Sequence, residues 1–296
     1  MNNTSKKILL GCLCMIGGMF FFGITNAVAK ETGNALPLSE IIFFRSSIAT
    51  LLMLIFSRIK QTHNLLETTH LKMQLFRGFL GFGQLYFLYW SFAALPMADA
   101  TAISFATTLF VTALAGPFLK EHVGTTRWTA TILGFLGVLV ISKPTGIIQL
   151  EGAVAGVLSS FLEAMVMIYA CKLGKQDKAF TTVFYYTAIT CVIGGLFLPF
   201  VWVCPTFQQF ALIALLGVAG TLGHILIARS YQLAPAHVVA PMFYTLLIWG
   251  IIFGYVFFQE IPTFQVLLGA VVISVCGLFI VYQERGEKGI AAGDEA

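Results

Sequence analysis

Charge is what this sequence has least of. Aspartate, glutamate, lysine and arginine together make up 10% of its 296 residues, whereas a soluble domain devotes about a quarter of its residues to them. So few charges cannot clothe a globule of this length in water. The patterns on which several chemistries depend are missing as well. The cysteines, Cys12, Cys14, Cys171, Cys191, Cys204 and Cys276, show no C-x-x-C spacing and have no histidine beside them, which argues for buried, inert thiols rather than a metal or redox site. There is no Walker-type phosphate loop, so nucleotide hydrolysis within the chain is not expected. The net charge of +4 comes from basic residues scattered singly between apolar runs, not from the patch or tail that nucleic acid would require. No cofactor, no metal and no nucleic-acid partner is expected.

Apolar length is what the chain has in plenty. Hydrophobic residues reach 58%, with 28 phenylalanines, and mean hydropathy is +0.89. Repeated apolar stretches of about 20 residues match the helical length that crosses the hydrocarbon core of a bilayer. Ten such spans are expected, at about 8–29, 37–57, 72–94, 98–119, 127–143, 151–173, 179–203, 207–233, 237–258 and 263–283. Short connections such as "RIKQTHNLLETTH" (58–70) and "KLGKQDK" (172–178) hold the polar residues, and 286–296 reads as a solvated tail. The expected fold class is therefore an all-α integral membrane protein with ten transmembrane helices.

Lysine and arginine set an orientation. With a cytoplasmic amino terminus and alternating spans, the cytoplasmic segments hold Lys6, Lys7, Arg58, Lys60, Lys72, Arg77, Lys120, Arg127, Lys172, Lys175, Lys178, Arg285 and Lys288, against only Lys30 and Lys143 opposite. That bias predicts both termini in the cytoplasm of a cell whose inner or plasma membrane holds the chain. Lys6 and Lys7, followed by an apolar run ending in Ala27-Val28-Ala29, have the outline of a cleavable signal. The run exceeds the usual signal core, and a retained helix is expected.

The chain also repeats itself. A shift of 139 residues lays "SFAALPMADATAI" (91–103) on "SYQLAPAHVVAPM" (230–242), pairing Ser91 with Ser230, Pro96 with Pro235, Gly78 with Gly217 and Glu121 with Glu260. With small loop differences "FFGITNAVAK" (21–30) falls on "EAMVMIYACK" (163–172), which pairs Lys30 with Lys172. Five spans per copy is an odd number, so the second copy enters the membrane from the opposite side. The expectation is an inverted repeat, 1–146 and 147–285, followed by the tail 286–296. Such an arrangement suits alternating access around a site near the midplane.

The segments "ALPMADATAI" and "LAPAHVVAPM", each followed by a span, then Glu121 or Glu260, then a glycine-bearing span, resemble the two EamA repeats of the drug/metabolite transporter superfamily. The resemblance covers nearly the whole chain. It implies a central cavity between two bundles, peripheral fifth and tenth helices, and substrates ranging from amino acids and their derivatives to nucleotide-like metabolites such as S-adenosylmethionine. Independently, 128–142 and 264–282 carry no charged side chain.

Charges inside spans are expensive and normally face a wet cavity or a partner. Arg45, in "EIIFFRSSIATLLML" (40–54), either binds an anionic solute group or serves as a strut, and its repeat counterpart is Tyr186. Glu163 is placed in the cavity, where it meets solute, carries a proton as access alternates, or pairs with Arg45 or His224. His224 either packs or lines the cavity. Arg229, about 140° around the helix from it, snorkels. Tyr89, Trp90, Tyr186, Tyr244 and Asn26 extend the expected lining, with Tyr86, Gln84 and Thr25 as further candidates. Glu121 and Glu260 are read as loop contacts and Asp99 as a helix-start charge. The function expected is secondary transport of a small polar metabolite, zwitterionic if the mixed signs face it together. Proton-coupled export of amino acids or drugs is the alternative, and a non-transporting structural or signalling protein is the reading from another class. The expected partners are a small solute and lipid, and a homodimer stays open.

Overall fold

The computed structural model describes residues 3–59, 66–119, 128–129, 132–133, 136, 147–173, 177, 179–234, 240–272 and 274–275. Among these the named elements are helical: α1 (Asn3–Gly33), α2 (Leu38–Ile59), α3 (Leu71–Ala94), α4 (Met97–Ser104), α5 (Ala106–Leu119), α6 (Ile147–Leu173), α7 (Ala179–Val201), α8 (Phe207–Leu233), a 3₁₀ turn (Ala240–Tyr244) and α9 (Thr245–Phe258). Most of the expected fifth span, residues 273 and 276–283 of the tenth, Glu121 and the tail lie outside the described residues.

Six helical stretches are long and apolar enough to cross a bilayer: Lys6–Gly33, Leu38–Arg58, Met97–Leu114, Leu150–Ala170, Phe180–Val201 and Phe207–Ile227. The protein is an all-α, multi-pass integral membrane protein. On α7, Val192, Leu196 and Phe200 stand on successive turns of one face and are 63%, 68% and 83% exposed. An apolar row of this kind, unburied within the bundle, has hydrocarbon as its solvent.

Local chemistry sets the helix ends. Pro37 and Pro96 stand immediately before α2 and α4, where a residue without a free N–H costs nothing. Thr206 caps α8 through a reciprocal pair with Gln209, the capping box. Gln259, at φ 57°, ends α9 in the left-handed region and turns Glu260 back toward the bundle.

The expected fourth span, 98–119, is interrupted although it contains no glycine or proline before Gly116. α4 stops at Ser104, and Phe105 N donates to Ala102 O in a 3₁₀ bond at 3.2 Å. Ser104 Oγ donates to Thr101 O and Thr108 Oγ1 to Phe105 O, at 2.7 and 2.8 Å, so hydroxyls compete with the backbone for its carbonyls. The expected ninth span behaves alike: the 3₁₀ turn Ala240–Tyr244 precedes α9, and Thr245 Oγ1 donates to Met242 O at 2.6 Å.

α1 runs along α8, α3 along α6, α2 along α7, and α4 meets α9. Two glycines make the first two approaches possible. A Cβ at Gly11 would lie 2.8 Å from Ala234 Cβ, and one at Gly152 would lie 2.8 Å from both Ala94 Cβ and Leu95 Cγ. One apolar cluster, with Met19, Phe92, Phe105 and Leu109, fills the α1/α4/α5 side. Another, with Ile41, Ile42, Leu85 and Leu216, fills the space between α2, α3 and α8.

Candidate transport site

Between these clusters the helices bring polar residues together. Gln84, buried on α3, donates from Nε2 to Glu163 Oε2 on α6 at 3.0 Å. Tyr186 Oη on α7 donates to Gln84 Oε1 at 3.2 Å. A single amide thus joins three helices. Ser159 Oγ, one turn before Glu163, donates to Gln84 O at 3.0 Å and fixes the α3 backbone at that level. Gly81 makes room for the tyrosine: a Cβ there would fall 2.2 Å from Tyr186 Cε2.

Arg45 on α2 lies within Coulombic range of Glu163, Tyr186, Tyr89 and His224. Its Nε is buried without a hydrogen-bond partner among the described residues. The guanidinium packs over Gly220 of α8, where a Cβ would come within 3.3 Å of Nη2. No ion pair within 4 Å joins Arg45 to Glu163 among the described residues. The two opposite charges therefore share a neighbourhood without neutralising one another directly.

The other expected residues divide. His224 stands edge-on to Phe22 at 5.0 Å, exposed, and within range of Arg45 and Arg77. Tyr89 is buried within Coulombic range of Arg45. Asn26 is buried on α1, four residues after Phe22 and hence on the same face. Trp90 sits elsewhere: it is exposed and grouped with Phe87 and Tyr86 at centroid distances of 6.3 and 6.4 Å. Tyr244 joins the apolar cluster through Phe105, 5.1 Å between centroids.

Arg77 is where sequence reasoning errs. It reads as a flanking cytoplasmic charge, yet it is buried, donating from Nη1 to Thr182 O at 2.9 Å and from Nε to Val166 O at 3.3 Å. Its guanidinium lies 5.0 Å from the centre of the Tyr186 ring, a cation–π contact. Its position seven residues into a 24-residue helix is the signal that points inward.

Apolar membrane-crossing helices packed around an interior polar set make this a multi-pass membrane protein, and its family and relatives make it a transporter rather than an enzyme. The chain belongs to the EamA-like transporter family, whose signature matches residues 9–143 and again 150–283. It is 28% identical over 281 residues to the pseudopaline exporter CntI of Pseudomonas aeruginosa, across 93% of this chain and 97% of that protein. It is 29% identical over 285 residues to the S-adenosylmethionine uptake transporter of Rickettsia bellii, across 96% and 98%. A solved crystal structure matches with a TM-score of 0.64 at 14% identity, over 94% of this chain and 98% of that one, and so shares its fold.

Proposed function

We propose that this protein is a secondary active transporter that carries a small amino-acid-derived or S-adenosylmethionine-like metabolite across the inner membrane by alternating access. Its solute is held by Arg45, Glu163, Tyr186 and His224, with Gln84 behind Glu163 and with Tyr89 and Asn26 flanking. The observation that carries this reading is the unpaired opposition of Arg45 and Glu163, one from each half of the chain, in one interior neighbourhood. Two relatives that span nearly the whole chain are named for the export of one such metabolite and the uptake of another, so direction is left to experiment.

The reading includes ten helices in two inverted repeats, 1–146 and 147–285, a tail 286–296, and both termini in the cytoplasm. Exchange of helix contacts supports the repeat. If the halves swap, α1 against α8 becomes α6 against α3, and both pairs run alongside one another. Gly11 meets Ala234 in the first pair and Gly152 meets Leu95 in the second, with Leu95 and Ala234 139 positions apart. Lys30 lies 5.3 Å from the Phe258 ring centre, while Lys172, its repeat counterpart, lies 5.6 Å from that of Phe118.

The test is reconstitution of the purified chain into liposomes and measurement of labelled amino-acid derivatives, S-adenosylmethionine among them, moving in both directions. Saturable flux of at least one solute, lost in Arg45→Ala and Glu163→Ala, is expected. Folded protein that moves nothing across a broad panel overturns the reading.

A further inference from the structure

The backbone repeats, but the polar residues around the proposed site do not. Tyr186, Gln84 and Glu163 form one hydrogen-bonded line across α7, α3 and α6. The repeat offsets carry these positions onto Arg45, Gly223 and Phe21. At those three positions there is an arginine, no amide and no carboxylate. Gly223 leaves room instead for Phe22, whose ring carbons would stand 3.1 Å from a Cβ at 223. The two halves supply equivalent positions, and the side chains put a free-standing arginine at one and a carboxylate at the other, where the buried Arg77 is already engaged by the Tyr186 ring and the carbonyls of Val166 and Thr182.

Gln84 keeps them different. Its amide orientation follows from charge: a carboxylate oxygen of Glu163 accepts only from the NH₂ side, which leaves Oε1 to face the phenol of Tyr186. One oxygen of Glu163 is thereby occupied, at 3.0 Å, and the carboxylate is tied to α3. Arg45 is held on α2 over Gly220, with Nε unpartnered among the described residues. With Glu163 tethered, the two charges stay near each other without collapsing into a permanent pair.

From this we infer that the solute binds in one polarity, its anionic carboxylate at Arg45 and its protonated nitrogen at Glu163, and that Gln84 is the positioning residue that sets the cationic end. The inference rests on the transport reading above and deepens it. Each end is a charge-assisted hydrogen bond in a poorly hydrated place, so removal of the matching solute charge forfeits affinity about tenfold or more.

The experiment uses the full chain in liposomes with S-adenosylmethionine and L-methionine as probes, each beside its carboxamide and its N-acetyl derivative. Wild type is expected to prefer each transported parent over both derivatives by about tenfold or more in apparent affinity. Arg45→Gln should erase discrimination against the carboxamide and keep that against the N-acetyl form, and Glu163→Gln should do the reverse. Gln84→Leu should weaken only the discrimination against the N-acetyl form, while a melting temperature close to wild type controls for folding. Loss of both discriminations together in Gln84→Leu assigns Gln84 a general packing role and overturns its positioning role. Parents and derivatives moving equally well in wild type overturn the polarity while leaving transport standing. No flux of any probe overturns both the inference and its premise.

Discussion

Lys30 Nζ lies 2.9 Å from Glu260 Oε1, so an ion pair ties the end of α1 to the turn that follows α9. Lys30 also donates to Leu95 O, and the second carboxylate oxygen, Glu260 Oε2, accepts from Met97 N at 2.7 Å. One carboxylate therefore neutralises a buried lysine and caps the start of α4. The two duties separate by mutation. Glu260→Gln keeps an acceptor for Met97 N and loses the charge, whereas Glu260→Ala abandons both and leaves Lys30 buried without its ion-pair partner, with Asp99 the carboxyl still within Coulombic range. A loss of about 3 kcal/mol or more is expected for Glu260→Ala and a smaller one for Glu260→Gln. Lys30→Met combined with Glu260→Gln should recover stability relative to Glu260→Ala, as read by thermal unfolding in detergent micelles. Equal melting temperatures for all three would remove the ion pair from the account of this end of the bundle.

A second prediction concerns the space that Gly81 leaves for Tyr186. A methyl at 81 would sit 2.2 Å from Cε2 of that ring, so Gly81→Ala must push Tyr186 off Gln84. Overpacking of this kind costs about 1–3 kcal/mol, and transport should fall because the line to Glu163 is broken. Gly17→Ala is the matched control. Its Cβ would meet Leu226 Cδ1 at 3.4 Å, an ordinary contact with the end of a flexible side chain, so the helix propensity of alanine should make it neutral or stabilising by up to about 1 kcal/mol. If both substitutions behaved alike, steric room at 81 would not be what positions Tyr186.

How much of this is legible in the sequence depends on the range of the interaction. The helices are legible because apolar length is local: the residues that make 207–233 suited to a bilayer are its own. The interruption at Phe105 is hidden because it comes from hydroxyls of Ser104 and Thr108 reaching nearby carbonyls, and serine or threonine in an apolar helix does this only in some contexts. Glu163 stands out as a charge in an apolar span, but Gln84 does not, since its importance arises from Glu163 and Tyr186, 79 and 102 residues away. Trp90 is the opposite case. Sequence places it about one turn along the helix from Tyr86, and only the packing shows that it is exposed and stacked on Phe87.

Asp177 provides a pH test away from the spans. In sequence it belongs to the polar connection "KLGKQDK", but it is buried and accepts from Thr68 Oγ1 at 2.6 Å and Gln74 Nε2 at 2.9 Å. Burial pushes its carboxyl upward, and the bonds from Thr68, Gln74 and the Thr69 backbone together outweigh it, holding the group below its ordinary value. A carboxyl depressed by folding stabilises the protein above its unfolded value of about 3.9 and loses that contribution as pH falls through the folded value. Asp177→Asn should therefore melt below wild type at neutral pH, by about 1–2 kcal/mol of stability, and the gap should close below about pH 4. A gap constant with pH would mean that the ionised carboxylate contributes nothing particular.

The last prediction joins the carboxylate of Glu163 to the direction of coupling. Gln84 donates to its Oε2, Arg45 lies within Coulombic range, and Tyr186 is the other titratable group that faces it. If Glu163 takes the solute's protonated nitrogen, it cannot hold its own proton at the same time, so proton and solute compete for one carboxylate. Competition at an alternating-access site yields exchange: solute leaves on one face as a proton enters there, and the empty, unprotonated carrier is the disfavoured return form. The expected outcome in liposomes is solute efflux accelerated by an outside-acid pH gradient, with apparent affinity for solute weakening as pH falls on the binding side. Glu163→Gln keeps a partner for Gln84 and should still fold, but its residual flux should ignore the gradient. Full gradient dependence in that variant would move proton coupling to another group. Acceleration by an inside-acid gradient would instead show proton and solute travelling together, which one shared carboxylate cannot do.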